Sequence, residues 1–164
     1  MESAYLGRSH RSKDPKSQIK QVINLSKEIL DIPDNYKVAL VPASNTGAFE
    51  MAMWTMLGQL PVDIFAWDNF GFTWANDVIE QLKIVDYRII ASDYGFLPEM
   101  TKLRLESDIC FTWNGTTSGV RVPNADWIPD NRKGLVLCDA TSAVFGQKVS
   151  WRKLDVITYS WQKA

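Results

Sequence analysis

Short apolar runs alternate with amphipathic stretches along most of this chain. Runs rich in aliphatic, β-branched and aromatic residues, bounded by turn-forming residues, predict strands. These runs are YKVALVP (36–42), VDIFAW (62–67), YRIIAS (87–92), DICFTW (108–113), GLVLCDA (134–140) and DVITYSW (155–161). Near-continuous apolar runs of this length are typical of strands that are covered on both faces of a parallel sheet.

Three other stretches repeat their apolar residues every three or four positions, which predicts helices. The first begins within the basic opening GRSHRSKDPKSQ (7–18), and its apolar face consists of Ile19, Val22, Ile23, Ile29 and Leu30. The second follows ASNTG (43–47) and places Phe49, Met53 and Leu57 in line. The third is GFTWANDVIEQLK (71–83), with Trp74, Val78 and Leu82 in line. This alternation predicts an α/β fold with a mostly parallel, mixed sheet flanked by helices.

Polar residues follow most of the predicted strands. The segments concerned are ASNTG, DNFGFTW (68–74), NGTTSG (114–119), DATSA (139–143) and WQK (161–163). Ligands of open α/β sheets bind beyond the carboxyl ends of the strands. The sequence therefore predicts that these segments converge on one cleft.

Composition narrows the class of protein. The chain has 164 residues, 46% of them hydrophobic, which is ordinary for a globular domain. A net charge of −1 argues against nucleic acid or an anionic membrane as partner, and no apolar run reaches the length of a spanning helix. Cys110 and Cys138 lie in apolar runs and are predicted to be buried free thiols. His10 is the only histidine, which disfavours a metal site.

The ASNTG turn allows two interpretations. Free backbone N–H groups at the start of a helix bind phosphate well, which would make this a phosphate site. Alternatively, Asn45 or Thr46 simply caps the helix. The turn is neither a P-loop nor a dinucleotide-binding turn, because the required lysine and glycine spacing are missing.

Four further features each carry a structural and a functional interpretation. Asp139 ends an apolar strand, where a carboxylate is costly unless paired, so it is either a turn cap or the partner of a cationic nitrogen. Lys163 is either a solvated residue or an amine that forms a Schiff base. Trp74 is either a core residue or a platform for a flat ring. SHRSK (9–13) is either a solvated basic segment or an anion site.

Taken together, several motifs resemble one known family. GRSHRSK, GFTW, FTWNGTTSGVRVPN, CDATSA and YSWQK, in this order and at these separations, are similar to the phosphoserine aminotransferases. That family belongs to the class V aminotransferases among the fold-type I pyridoxal-phosphate enzymes. The resemblance implies that residues 1–164 are part of the cofactor-binding large domain, cut just after the catalytic lysine, with the small C-terminal domain absent.

The resemblance also implies residue roles. Lys163 matches the Schiff-base lysine and Asp139 the partner of the pyridinium nitrogen. The remaining cofactor contacts would come from Asn45, Thr46, Trp74, Thr116 and Gln162. His10 and Arg11 match the pair that receives the substrate phosphate. Many members carry an arginine where Thr46 stands, so phosphate recognition here would rest more on hydroxyls and backbone amides.

The implied reaction is pyridoxal 5′-phosphate-dependent transamination of O-phosphoserine with 2-oxoglutarate, giving 3-phosphohydroxypyruvate and glutamate in serine biosynthesis. The resemblance further implies a cytoplasmic homodimer with small-molecule substrates, no nucleic-acid or membrane partner and no metal. The arginine that grips the substrate carboxylate and the partner-subunit contacts would lie outside these residues. We therefore expect the chain alone to be inactive.

Two alternatives stay open. The chain could come from another class V enzyme, such as a serine–glyoxylate-type aminotransferase or a cysteine desulfurase, although neither needs the phosphate pair in SHRSK. It could also be a non-catalytic fragment. Nucleotide binding at ASNTG is disfavoured, because the motif lysine is missing.

Overall fold

Two compact units make up the chain, one before residue 42 and one from Pro42 onward. The structure is a computed structural model that describes residue 7, residues 9–42 and residues 44–164. Within those ranges, no helix is both long and apolar enough to cross a membrane.

The first unit contains helix α1, Lys13–Ile29. Ser12 precedes it with extended backbone. The Ser12 hydroxyl donates a hydrogen bond to the Ser9 carbonyl at 2.8 Å, which stabilises the turn before the helix. The predicted apolar face is present and partly covered, because Val22 is 39% and Ile29 67% exposed whereas Leu30 is buried. Within α1 only Ser26 is buried.

The strand predicted over residues 36–42 is wrong. Residues 36–41 have no regular structure, and Leu40 and Val41 are each about two-fifths exposed, at 41% and 39%. Apolar β-branched residues favour a strand only where a neighbouring strand accepts and donates the ladder hydrogen bonds. No strand of the described residues pairs with this run.

Five parallel strands form the sheet of the second unit, in the order β2-β1-β3-β4-β5. They are β1 Val62–Ala66, β2 Tyr87–Ala91, β3 Asp108–Thr112, β4 Val136–Asp139 and β5 Val156–Thr158. Each lies inside a run that was predicted from the sequence. The α/β prediction is thus confirmed, and all four strand pairs are parallel. Parallel pairing places the carboxyl ends of the strands at the same edge.

Helices α2, Asn45–Met56, and α3, Asn69–Asn76, connect to this sheet. The cap of α2 differs from the prediction: Ser44, not Asn45 or Thr46, accepts a hydrogen bond from the Gly47 amide at 3.4 Å. The end of α3 continues into one wider π-helical turn, Asp77–Gln81, so the predicted helix is present over most of its length. Short 3₁₀ turns lie at Met100–Lys102, Trp151–Lys153 and Trp161–Lys163.

Both helices pack on one face of the sheet. The apolar cluster there is made of Phe49, Met53, Val62, Ile64, Trp74, Ala75, Val78, Cys110 and Leu137. Burial of these side chains is the main favourable term in holding α2 and α3 against the strands.

The second face of the sheet is covered by a loop. Trp127 packs edge-on against Phe65 and Phe111, with ring centroids 5.0 and 5.1 Å apart. Strands β1 and β3 are consequently buried at every position. Cys110 and Cys138 are free and buried as predicted, and burial raises the pKa of both thiols.

A buried carboxylate ties the amino-terminal part of β1 to its surroundings. Asp63 is fully buried. Its carboxylate accepts hydrogen bonds from the Arg88 Nε at 3.0 Å and from the Arg88 Nη2 at 2.7 Å. It also accepts the backbone amide of Arg104 at 2.7 Å and the Arg104 Nε at 2.9 Å. Four charge-assisted hydrogen bonds thereby join β1, β2 and the segment that leads into β3.

Replacing Asp63 with alanine should lower the free energy of unfolding by about 3 kcal/mol, because it leaves two arginines without their shared acceptor. Asp86→Ala is the matched control, since Asp86 also binds Arg104 but its side chain is 61% exposed. That change should cost less than about 1 kcal/mol. Chemical denaturation of the three proteins measures both values. Equal losses would show that the buried network contributes nothing beyond a surface ion pair.

Candidate active site

Three polar side chains lie in one row at the carboxyl ends of adjacent strands. Thr112 of β3 pairs with Asp139 of β4, and Asp139 pairs with Thr158 of β5. All three are at least 92% buried. They project from the sheet face that carries α2 and α3, since they follow Cys110 and Leu137 by two positions.

Asp139 is the charged member of the row. Its Oδ1 accepts the Thr141 amide at 3.0 Å. Burial raises the pKa of the Asp139 carboxyl, and the negative charge of Asp68 raises it further. Hydrogen bonds from Thr141 and from the Asn45 side chain oppose this shift in pKa. The turn at the start of α2 therefore reaches Asp139, as the cleft prediction requires.

Lys163 lies beside hydroxyls from two other strand ends. Its Nζ donates to the Ser142 Oγ at 2.7 Å and to the Thr116 Oγ1 at 3.2 Å. Thr116 and Ser142 also hydrogen-bond each other. The segments that follow β3, β4 and β5 thus meet at one amine. Of these contacts, Ser142 was not among the predicted site residues, although it stands in the quoted DATSA segment.

Trp74 occupies a core position. It is 1% exposed and packs against Phe49, with ring centroids 4.8 Å apart. Its predicted role as a platform for a flat ring stays a prediction. On the same helix, Phe70 and Phe72 are the exposed aromatic residues, at 37% and 46%.

The other predicted site residues are partly or fully exposed to solvent. Thr46 lies in the first turn of α2 and is partly exposed, and Gln162 is exposed in the 3₁₀ turn that also contains Lys163. His10 and Arg11 are exposed and belong to the first unit, before α1. Their predicted role in phosphate binding stays a prediction.

Several buried polar atoms of α2, of α3 and of the carboxyl ends of the strands have no hydrogen-bond partner among the described residues. They are Asn45 Oδ1, Trp74 Nε1, Thr112 Oγ1, Thr158 Oγ1 and Ser160 Oγ. Each unsatisfied buried group costs about 1–3 kcal/mol. Such a group in a native site calls for a partner that the chain itself does not supply.

The buried carboxylate and the unpaired polar atoms suit an organic ligand. No group of three histidine, cysteine or acidic side chains capable of holding a metal occurs in the described part of the chain. A buried carboxylate next to unpaired donors and acceptors instead fits a polar ligand with a cationic nitrogen. The neighbouring Lys163 amine adds a nucleophile at the same edge.

Comparison with known proteins gives one consistent result. The chain is 53% identical over 157 residues to a phosphoserine aminotransferase of Methanosarcina barkeri, covering 96% of this chain and 42% of that protein. Thus the chain spans less than half the length of the curated relatives it matches. No protein-family model matches it. The predicted resemblance to phosphoserine aminotransferases is confirmed.

Solved structures agree. A phosphoserine aminotransferase from Cytophaga hutchinsonii superposes with a TM-score of 0.82 at 25% identity, covering 96% of this chain and 44% of that one. A phosphoserine aminotransferase with bound PLP from Trichomonas vaginalis gives a TM-score of 0.73 at 18% identity, covering 96% and 45%. The second likeness concerns the fold alone.

Replacing Asp139 with asparagine should stabilise the protein at pH 7 in the absence of added ligand. Burial raises the pKa of Asp139 in the folded state above its unfolded value, so folding is penalised when the carboxyl is ionised. Asparagine carries no charge and keeps an acceptor for the Thr141 amide. The advantage should shrink as the pH falls through the folded pKa and vanish below about 4, near the unfolded pKa.

Thermal unfolding of the native protein and of Asp139→Asn, at pH 7 and below about pH 4, measures the difference in stability. Asp126→Asn is the control, because Asp126 is exposed and its replacement should change stability by less than about 0.5 kcal/mol. A destabilised Asp139→Asn protein at pH 7 would mean that the ionised carboxylate is net favourable within this chain.

Proposed function

We propose that this chain, a relative of the phosphoserine aminotransferases, is the cofactor-binding part of such an enzyme and acts within a longer protein. One observation carries the proposal. The amine of Lys163, which follows β5, lies at the edge of the sheet where Asp139 is buried, and it contacts hydroxyls that follow β3 and β4. A Schiff-base enzyme needs an amine and a buried carboxylate in this relation.

Pyridoxal 5′-phosphate is the cofactor that fits these residues, and when bound it supplies an electron sink whose ring nitrogen must stay protonated. Asp139 would hold that proton on the ring nitrogen. A cation next to the carboxylate would offset the cost of burial, which otherwise raises the pKa of Asp139. The unpaired atoms of Thr112 and Thr158 lie beside the same carboxylate and provide further polar contacts.

Lys163 would provide the covalent attachment and the proton transfer. Its amine would be the point of covalent attachment for the cofactor aldehyde. When free, the same amine would take up and return a proton at the substrate α-carbon. The hydroxyls of Thr116 and Ser142 accept hydrogen bonds from Nζ and thereby orient its lone pair.

The start of α2 would receive the cofactor phosphate. Backbone N–H groups in the first turn of this twelve-residue helix and the helix dipole both favour an anion. Asn45 and Thr46 stand in this turn, and Gln162 adds an amide from the neighbourhood of Lys163. Thr46 contributes a hydroxyl where many family members have arginine.

For the substrate, we propose O-phosphoserine with 2-oxoglutarate as the amino-group acceptor, which would place the protein in serine biosynthesis. His10 and Arg11 would bind the substrate phosphate, since a guanidinium offers two parallel donors to phosphate oxygens. Residues outside this chain would bind the substrate carboxylate and complete a cytoplasmic homodimer. Cys110 and Cys138 are buried and therefore unsuited to act as the nucleophile of a desulfurase.

Lys163→Ala should abolish transamination in the full-length protein while leaving weak, non-covalent cofactor binding. Only the lysine can form the covalent bond, whereas Asp139 and the start of α2 remain able to bind the ring and phosphate. Borohydride reduction with pyridoxal phosphate, followed by peptide mass mapping, should label Lys163 stoichiometrically. Labelling of another lysine would overturn the assignment.

The same labelling applied to residues 1–164 alone should give little product and no turnover. Without further chain after it, Lys163 stands at a terminus, where fraying is the default. Strong and specific labelling of the isolated chain would show that these residues suffice for covalent attachment.

Arg11→Ala in the full-length protein should lower kcat/KM for phosphoserine about 10- to 100-fold, because charge-assisted hydrogen bonds to the substrate phosphate are lost. Affinity for pyridoxal phosphate should stay within about twofold. Arg152→Ala, at an exposed arginine in the second unit, is the control and should change neither value. Equal losses in substrate use and cofactor affinity would mean that Arg11 has a structural role.

A further inference from the structure

The loop that carries Thr116 is fixed to the end of β1 by two buried residues. Trp67 donates its indole Nε1 to the Val120 carbonyl at 2.9 Å. Asp68, which is 1% exposed, accepts the Thr117 amide at 3.3 Å and the Thr117 hydroxyl at 3.4 Å through Oδ2. Its other oxygen, Oδ1, caps α3 by accepting the Gly71 amide at 3.1 Å.

The fit between this loop and Asp68 is close. A Cβ atom added to Gly115 would lie 3.0 Å from the Trp67 Nε1 and 3.1 Å from the Asp68 Cγ, which is too near for any larger residue without movement. The loop is also closed on itself, since the Gly115 amide donates to the Val120 carbonyl and the Gly119 amide to the Gly115 carbonyl, both at 2.8 Å. The loop is therefore closed on itself and packed directly against Asp68.

The contacts at position 68 favour a carboxylate over an amide side chain. A buried charge is costly unless it is fully hydrogen-bonded. An amide side chain could cap α3 equally well, but its NH₂ group would point a donor at the Thr117 amide. Only a carboxylate offers acceptors on both oxygens, to α3 on one side and to the loop on the other.

We infer that Asp68 is a positioning residue for the aminotransferase site: it sets the place of the Thr116 hydroxyl, and through it the direction of the Lys163 amine. The chain of contacts runs from the Asp68 carboxylate to Thr117, along the backbone to Thr116, and from the Thr116 hydroxyl to Nζ at 3.2 Å. This inference rests on the proposed function of Lys163.

The test compares Asp68→Asn with Asp108→Asn in the full-length protein. Asp108 is a matched control, because it is 2% exposed and accepts one backbone amide, that of Leu135 at 2.8 Å, at the opposite end of the strands. The main measurement is the rate at which added pyridoxal phosphate becomes attached to Lys163 in cofactor-free protein. The thermal unfolding temperature is recorded in parallel.

Asp68→Asn should slow covalent attachment at least about 10-fold and lower kcat more than it raises KM, because a misplacement of about 1 Å costs up to about 100-fold in rate. Asp108→Asn should affect stability to a similar degree and leave the attachment rate within about twofold of native. Equal attachment rates in the two variants would overturn the inference. Absence of attachment in the native protein would instead overturn the proposed function.

A second pair keeps the test decisive should Asp68→Asn fail to fold. Thr117→Val removes the hydroxyl that Asp68 binds and leaves the buried charge in place, whereas Thr117→Ser retains the hydroxyl. Attachment should be slower in the valine variant than in the serine variant by about 3- to 10-fold, the value of one ordinary hydrogen bond. Indistinguishable rates for the two would count against Asp68 as the residue that places the loop.

Discussion

Parallel register is the constraint on which the rest of the second unit depends. Because β3, β4 and β5 run in the same direction and pair without offset at their ends, Thr112, Asp139 and Thr158 stand side by side. The segments that follow the strands must then leave from one edge. The meeting of Thr116, Ser142 and Lys163 at one edge follows from this topology, while the contacts of Trp67 and Asp68 hold the loop that carries Thr116.

Asp63 differs from the two buried carboxylates at the carboxyl ends of the strands. Asp63, in the amino-terminal part of β1, is surrounded by arginines and gains enough from them to serve as a structural tie. Among the residues that the structure describes, Asp68 and Asp139, at the carboxyl ends, accept hydrogen bonds from neutral donors, and the charge of Asp68 helps to raise the pKa of Asp139. The carboxyl edge therefore carries negative charge in excess, and a cationic ligand would relieve it.

Periodicity in the sequence predicted the sheet strands well, because near-continuous apolar runs leave little choice but a buried strand. It failed for residues 36–42. Their composition favours a strand, but a strand forms only where a neighbouring strand pairs with it, and none of the described strands does. Thr112 and Thr158 could not be identified as neighbours of Asp139, since strand register is not visible in one sequence. Ser44 was passed over as the cap of α2 because three adjacent polar residues compete for that position. The burial of Trp74 depends on its contact with Phe49, which is distant in sequence.

The two cysteines lie on neighbouring strands but face opposite sides of the sheet. Cys110 belongs to the cluster beneath α2 and α3, whereas Cys138 pairs in register with Phe111, which packs on Trp127. A thiol reagent can reach each sulfur only when the layer above it opens. The labelling kinetics of Cys110 thus report on opening of the helical layer, and those of Cys138 on opening of the loop layer. The protein contains its own pair of probes for telling which side of the sheet loosens first.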